Sequence, residues 1–109
     1  MKNPRWRAVI FVALVVAGPT ATHVGAASSA AVGIKEFTFT PPVLAIPAGT
    51  TVTWVNHDEE PHTITSANGA FGSTGLSQED TFAQTFTRPG RYEYFCALHP
   101  RIKAIVIVK

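Results

Sequence analysis

After its first thirty residues the chain alternates apolar and polar positions in short runs, and no stretch holds a 3.6-residue period long enough for a helix. Ile34 to Thr40 sets Phe37 and Phe39 on one face against Glu36 and Thr38 on the other, which predicts a strand. Pro41 and Pro42 interrupt it, and Val43 to Ile46 resumes an extended segment. Pro47-Ala48-Gly49-Thr50 predicts a turn, and Thr51 to Asn56 then alternates with Val52 and Trp54 as one face. Asp58-Glu59-Glu60-Pro61 reads as a polar loop leading into His62 to Ser66. The Gly- and Ser-rich stretch from Ala67 to Asp80 predicts a long loop with room for one helical turn. Thr81 to Thr87 reads as a strand with Phe82 and Phe86 inward. Arg88-Pro89-Gly90 turns the chain into Arg91 to Cys96, where Tyr92 and Tyr94 alternate with Glu93 and Phe95. Lys103 to Val108 closes as a nearly all-apolar strand. The aromatic residues, Trp54 included, read as core. Seven to eight short strands with turn residues between them predict an all-β Greek-key sandwich, and no amphipathic helix separates them to support βαβ units.

The first 26 residues follow a different rule. Lys2, Arg5 and Arg7 form a basic leader, and Ala8 to Ala17 is an unbroken apolar run closed by Gly18 and Pro19. Val24 and Ala26 suit the two small-residue subsites of a signal peptidase, which predicts a signal peptide over 1–26, cleavage after Ala26 (second choice, after Ala27) and a domain over 27–109. The apolar run stops well short of the roughly 20 residues of a membrane-spanning helix. No cysteine stands near the cleavage region for lipidation, and no Arg-Arg pair marks the twin-arginine route. A periplasmic or secreted destination follows, with Ala27 to Ala31 as a short flexible lead-in.

Charge and size narrow the function. The formal net charge of +2 is set by the leader; from Ala27 onward six Lys and Arg face seven Asp and Glu. No basic stripe is left for nucleic acid to neutralise. The length of 109 residues allows one domain, and without the leader about 83 residues remain, enough only for a thin core. Small exported domains compensate with disulfides or a metal. Cys96 is the only cysteine, so a metal is the remaining candidate.

Cys96, His99 and His62 supply the donors. A thiolate and two imidazoles form a mixed S/N set that suits copper in a one-electron site. Cys96 ends one strand, the Ala97-Leu98 step returns His99 to the same side, and Pro100 stiffens the turn. His62 opens a different strand and can reach the same end of a sandwich. Taken singly, each has a plainer reading: a buried core thiol, a chance Cys-x-x-His, a loop histidine. Together, in an exported domain without disulfides, they outweigh it. His57 reads as a solvated loop residue, and the Asp58-Glu59-Glu60 trio as a solvated face that, close to a metal, would steer a basic partner.

Val52-Thr53-Trp54-Val55-Asn56, Pro61-His62-Thr63 and the run from Phe86 through Cys96 to Pro100 resemble the cupredoxins, closest to the amicyanin and plastocyanin-like subgroup with a short ligand loop. The likeness covers Ile34 to Lys109. It implies a Greek-key sandwich, a blue copper centre held by His62, Cys96 and His99, and periplasmic electron transfer with transient redox partner proteins. A monomer with no substrate chemistry of its own is expected. The family's short loop carries an axial methionine where this chain has Ile102, and Met1 is the only methionine. Ala104 and Thr63 also stand where glycine and asparagine are usual. The resemblance leaves the Pro61 carbonyl as the one nearby oxygen for a weak axial contact. Two other roles stay open at this point: a copper buffer or delivery protein without redox traffic, and a small copper enzyme using an open axial position. Ile102 argues against the second, because a hydrocarbon fills such a position.

Overall fold

A computed structural model describes residues 28–109. The expected signal segment over 1–26 and its cleavage point lie outside the described residues. Eight strands appear among those described: β1 (Ser29–Lys35), β2 (Thr38–Thr40), β3 (Val43–Ile46), β4 (Thr50–Asn56), β5 (Thr65–Ser66), β6 (Thr81–Phe86), β7 (Gly90–Cys96) and β8 (His99–Val108). They form two four-stranded sheets, ordered β2-β1-β4-β6 and β3-β8-β7-β5. Each sheet is mixed: β1 runs parallel to β4 and β3 parallel to β8, while the other pairs are antiparallel. The chain therefore crosses between sheets instead of running as a meander, giving the expected all-β Greek-key sandwich.

The two sheets meet through their inward faces. β4 is central in its sheet, and its alternation buries Thr50, Val52, Trp54 and Asn56. Val32, Ile34, Phe39 and Phe86 join them, facing Tyr94, Cys96, Ile102, Val106 and Val108 from the second sheet. Trp54 fastens the sheets together: its ring meets Tyr94 edge-on at 5.4 Å, and Phe82 and Phe86 flank it within its own sheet. Burial, partly offset by a Trp54 indole N–H that stands close without reaching hydrogen-bond geometry, pushes the Tyr94 phenol up to about 12.

Several sequence expectations are corrected. The strand expected from Ile34 to Thr40 is a hairpin, with Lys35 paired to Thr38 across a two-residue turn at Glu36 and Phe37. Phe39 is buried as expected, but Phe37 is 43% exposed and lies outside the core. The lead-in from Ala27 to Ala31 is already strand from Ser29, because its backbone pairs with Thr51, Val52 and Thr53 of β4. The last strand begins at His99 instead of Lys103. The stretch from Ala67 to Asp80 forms no helical turn; isolated bridges pair His62 with Leu76 and Thr65 with Gly72.

Candidate metal centre

One end of the sandwich gathers the last residue of β4, the last of β7 and the first of β8. Cys96 and His99 arrive there by a local route. They pair with one another across the Ala97-Leu98 turn, and a register shift between Phe95 and Cys96 turns the strand end. His62 arrives by a longer route through the loop that follows β4. Its backbone exchanges two hydrogen bonds with Leu76, at 3.1 and 2.7 Å, which fixes it to the long loop without making it part of β5.

Asn56 shapes that route. Its fully buried side chain donates from Nδ2 to the carbonyls of Glu60 (2.9 Å) and Leu76 (2.8 Å), and its Oδ1 accepts from the Asp58 N–H (2.9 Å). Every polar group of the amide is in use, so the loop between Asn56 and His62 is tied from inside.

The structure brings all three expected residues together. The donor atoms of His62, Cys96 and His99 lie within 4.8 Å of one another. Cys96 Sγ stands 3.6 Å from His62 Nδ1 and 3.6 Å from His99 Nδ1. A first-row metal bonded to a thiolate at about 2.3 Å and an imidazole at about 2.0 Å, with trigonal to tetrahedral angles, holds those donors about 3.5–3.8 Å apart. The donor set and its spacing fit a type 1 copper site. His62 and Cys96 are fully buried and His99 is partly exposed, so the cluster is dry on its inner side and reaches solvent at one imidazole. His57 stays out of the cluster; it is exposed and lies 3.3 Å from Glu79.

The surroundings of the sulfur are built by Thr63. Its backbone N–H donates to Cys96 Sγ at 3.3 Å, and its Oγ1 accepts from the Ala97 N–H at 2.7 Å. One residue thus ties the His62 arm to the Cys96–His99 turn and partly satisfies the sulfur. Ile102 is buried in the core cluster on β8, and the Pro61 side chain is exposed.

Two residues that the sequence reading passed over also belong here. Asp58, read as part of a solvated acidic face, has a side chain only 11% exposed, and its Oδ2 accepts from His62 Nε2 at 2.9 Å. Desolvation works to raise its pKa. The N–H donors of Phe37 and Glu36, and then the bond and charge of His62, outweigh that and hold the carboxyl below its ordinary value. Phe37, read as core, places its ring edge-on to both His62 and His99, with centroids 5.0 Å away in each case. A carboxylate four residues before a candidate ligand histidine was the one available signal for Asp58; nothing local marked Phe37.

The chain matches the Cupredoxin-like domain family over residues 7–108. Amicyanin of Paracoccus versutus is 35% identical over 88 residues, which cover 76% of this chain and 67% of that protein. Amicyanin of Paracoccus denitrificans is 32% identical over 83 residues, covering 72% and 63%. The chain thus spans about two thirds of the length of these relatives. Among solved structures, a purple cupredoxin from Nitrosopumilus maritimus superposes with a TM-score of 0.69 at 36% identity, over 73% of this chain and 99% of that one. An oxidised methionine-to-leucine mutant of amicyanin superposes with a TM-score of 0.69 at 30% identity, over 72% and 80%. Fold, donor set and these likenesses agree: the chain belongs to the cupredoxin family, in its amicyanin and plastocyanin-like branch.

Proposed function

We propose that the protein is an exported, monomeric one-electron carrier whose single copper ion is held by His62, Cys96 and His99, serving transient redox partners outside the cytoplasm. The observation that carries this reading is the pair of 3.6 Å separations around Cys96 Sγ. The donors already stand where a bound ion needs them, so little has to move when the charge on the site changes. When bound, copper supplies one reversible electron step between Cu(I) and Cu(II). The chain's own residues do the rest. The burial of His62 and Cys96 excludes water, and the Thr63 N–H steadies the sulfur. His99 is the partly exposed member, flanked by exposed Leu98, and so offers the short way in and out for an electron. Export rests on the leader sequence over 1–26. Among the described residues no helix is long and apolar enough to cross a membrane.

In this reading Ile102 stands at the loop position where the family carries methionine, so a bound copper would meet hydrocarbon there, and the Pro61 carbonyl would be the one oxygen left to it as a weak contact. Hydrocarbon in that position would withdraw a donor that favours the more charged Cu(II) and would keep water away; both effects would favour Cu(I). The midpoint potential of Ile102→Met, measured by voltammetry, is therefore expected to lie below that of the parent protein. A level or higher value would show that Ile102 does not face the metal.

Adding Cu(II) to the purified metal-free protein tests the whole reading. An intense visible thiolate-to-copper band at one equivalent, bleached by a one-electron reductant and restored by an oxidant, is the expected result. Intensity is the criterion and hue is not, since one relative of this chain is purple. A pale product with one bound copper would point to storage or delivery of the metal and overturn the carrier.

A further inference from the structure

The two-residue turn between β1 and β2 has the wrong sequence for its shape. Lys35 pairs with Thr38, and both residues between them are left-handed, Glu36 at φ 54° and Phe37 at φ 61°. Hairpin turns with two left-handed positions favour asparagine and glycine, because a Cβ in that region crowds the backbone. Glutamate and phenylalanine have neither advantage. Something outside the turn must hold it.

Asp58 is that group. Its Oδ1 accepts from the Glu36 N–H at 2.6 Å, and its Oδ2 accepts from the Phe37 N–H at 2.9 Å and from His62 Nε2 at 2.9 Å. Two consecutive amides of a strained turn and one imidazole thus converge on a single carboxylate. Asp58 is itself anchored, through its N–H, to the buried Asn56 amide. The strained turn carries an aromatic ring whose edge-on contacts are with His62 and His99, at interplanar angles of 89° and 85°.

We propose that Asp58 is a positioning residue for the metal centre that acts on it twice: directly, by orienting His62, and indirectly, by forcing the Glu36–Phe37 turn into the shape that lays Phe37 across both imidazoles. The direct action fixes the tautomer. With Nε2–H donated to the carboxylate, Nδ1 keeps its lone pair and faces Cys96. The indirect action restrains His99, the imidazole that the sandwich leaves partly exposed, since Phe37 is the ring that meets it from the first sheet. The second action rests on the ligand assignment made above; the first step of the clamp, the hold of Asp58 on the turn, does not.

The test uses the mature protein and the variants Asp58→Ala, Asp58→Asn, Phe37→Ala and the double variant Asp58→Ala with Phe37→Ala. In metal-free protein, NMR is expected to show His62 as the Nε2–H tautomer and the Glu36 and Phe37 amides slow to exchange. Asp58→Ala should remove the protection of both amides and the tautomer preference together, whereas Phe37→Ala should leave the tautomer in place. In copper-loaded protein, transfer of the metal to a competing chelator should reveal an affinity loss of about tenfold to a hundredfold for Asp58→Ala. The loss for Phe37→Ala should be smaller, and the double variant should lose little more than Asp58→Ala alone, because one device has been removed. Should Asp58→Ala not fold, Asp58→Asn is read instead. It keeps the shape but lacks the charge and one acceptor, so partial loss of amide protection is expected. Protected turn amides in every folded Asp58 variant would overturn the clamp, as would multiplicative losses in the double variant. A parent protein that binds no copper while its turn amides behave as described would instead overturn the ligand assignment.

Discussion

The two arms that build the candidate metal centre reach it in opposite ways. The β7–β8 arm brings Cys96 and His99 together with two intervening residues, and its geometry follows from a strand end and a tight turn. The β4 arm brings His62 through a loop with almost no regular structure, held by the Asn56 side chain, a two-bond bridge to Leu76 and the Asp58 carboxylate. One arm is ordered by chain proximity, the other by polar groups drawn from distant parts of the sequence. A local arm should tolerate loss of its ligand without losing its shape. A polar, non-local arm should fail structurally when one of its ties is cut.

The sharpest division between the arms comes from Cys96→Ser. It is expected to abolish the intense visible band and most of the metal-induced stabilisation, which amounts to about 4 kcal/mol when free metal exceeds its Kd a thousandfold. The metal-free variant should still fold, as judged by circular dichroism and thermal unfolding with and without copper. A variant that keeps the intense band would remove Cys96 from the site. Asn56→Ala makes the reverse cut. It strips three hydrogen bonds from a fully buried position and is expected to cost the metal-free protein about 3 kcal/mol in denaturant unfolding. A cost near zero would mean that the His62 arm is held by something else.

Tyr94 is buried in the core between the sheets, against Phe39 and Trp54, and calibrates the frame. Its pKa in the folded state, about 12, lies above the ordinary 10.0, so the unfolded chain releases the proton first. The stabilisation from burying the neutral phenol is complete below pH 10 and drains away as pH rises through about 12. Within that window the parent should lose about 1.4 kcal/mol more per pH unit than Tyr94→Phe. Parallel curves from denaturant unfolding across the window would show the phenol to be less buried than the structure has it. Thr63→Ala is the mildest change. It keeps the N–H to Cys96 Sγ and leaves the Ala97 N–H without its acceptor, for an expected loss of about 1 kcal/mol. A larger loss would mean that the seam between the arms carries more of the fold than either arm.

The same contrast explains what could be read from the sequence. The cluster of His62, Cys96 and His99 was legible because cysteine and histidine announce their chemistry by type, and because Cys96 and His99 sit close enough in sequence for one turn to join them. Val52, Trp54, Phe86 and Tyr94 were legible as core because a period of two survives wherever one strand face is buried. The Glu36–Phe37 turn was not. Alternation runs through it unbroken, so Phe37 and Phe39 read as one face, and no glycine or asparagine marks the reversal. Asp58 was hidden for a related reason. Two of its three partners are backbone amides more than twenty positions earlier, and an amide leaves no trace in residue type. The strand from Ser29 was obscured because serine and alanine carry little β preference, and only its pairing with β4 orders it.

The strand order has a bearing on how the protein behaves when concentrated. Of the four outermost strands, β2, β3 and β5 are four residues or shorter, too brief to template another chain. β6 is different. It spans six residues, Thr-Phe-Ala-Gln-Thr-Phe, without a charge or a proline to discourage a neighbour. One side of its backbone is paired to β4 and the other is unpaired among the described strands. Crowded copies of the protein would join first at this edge, sheet to sheet, and a single lysine on its outer face is the modest change that would keep them apart.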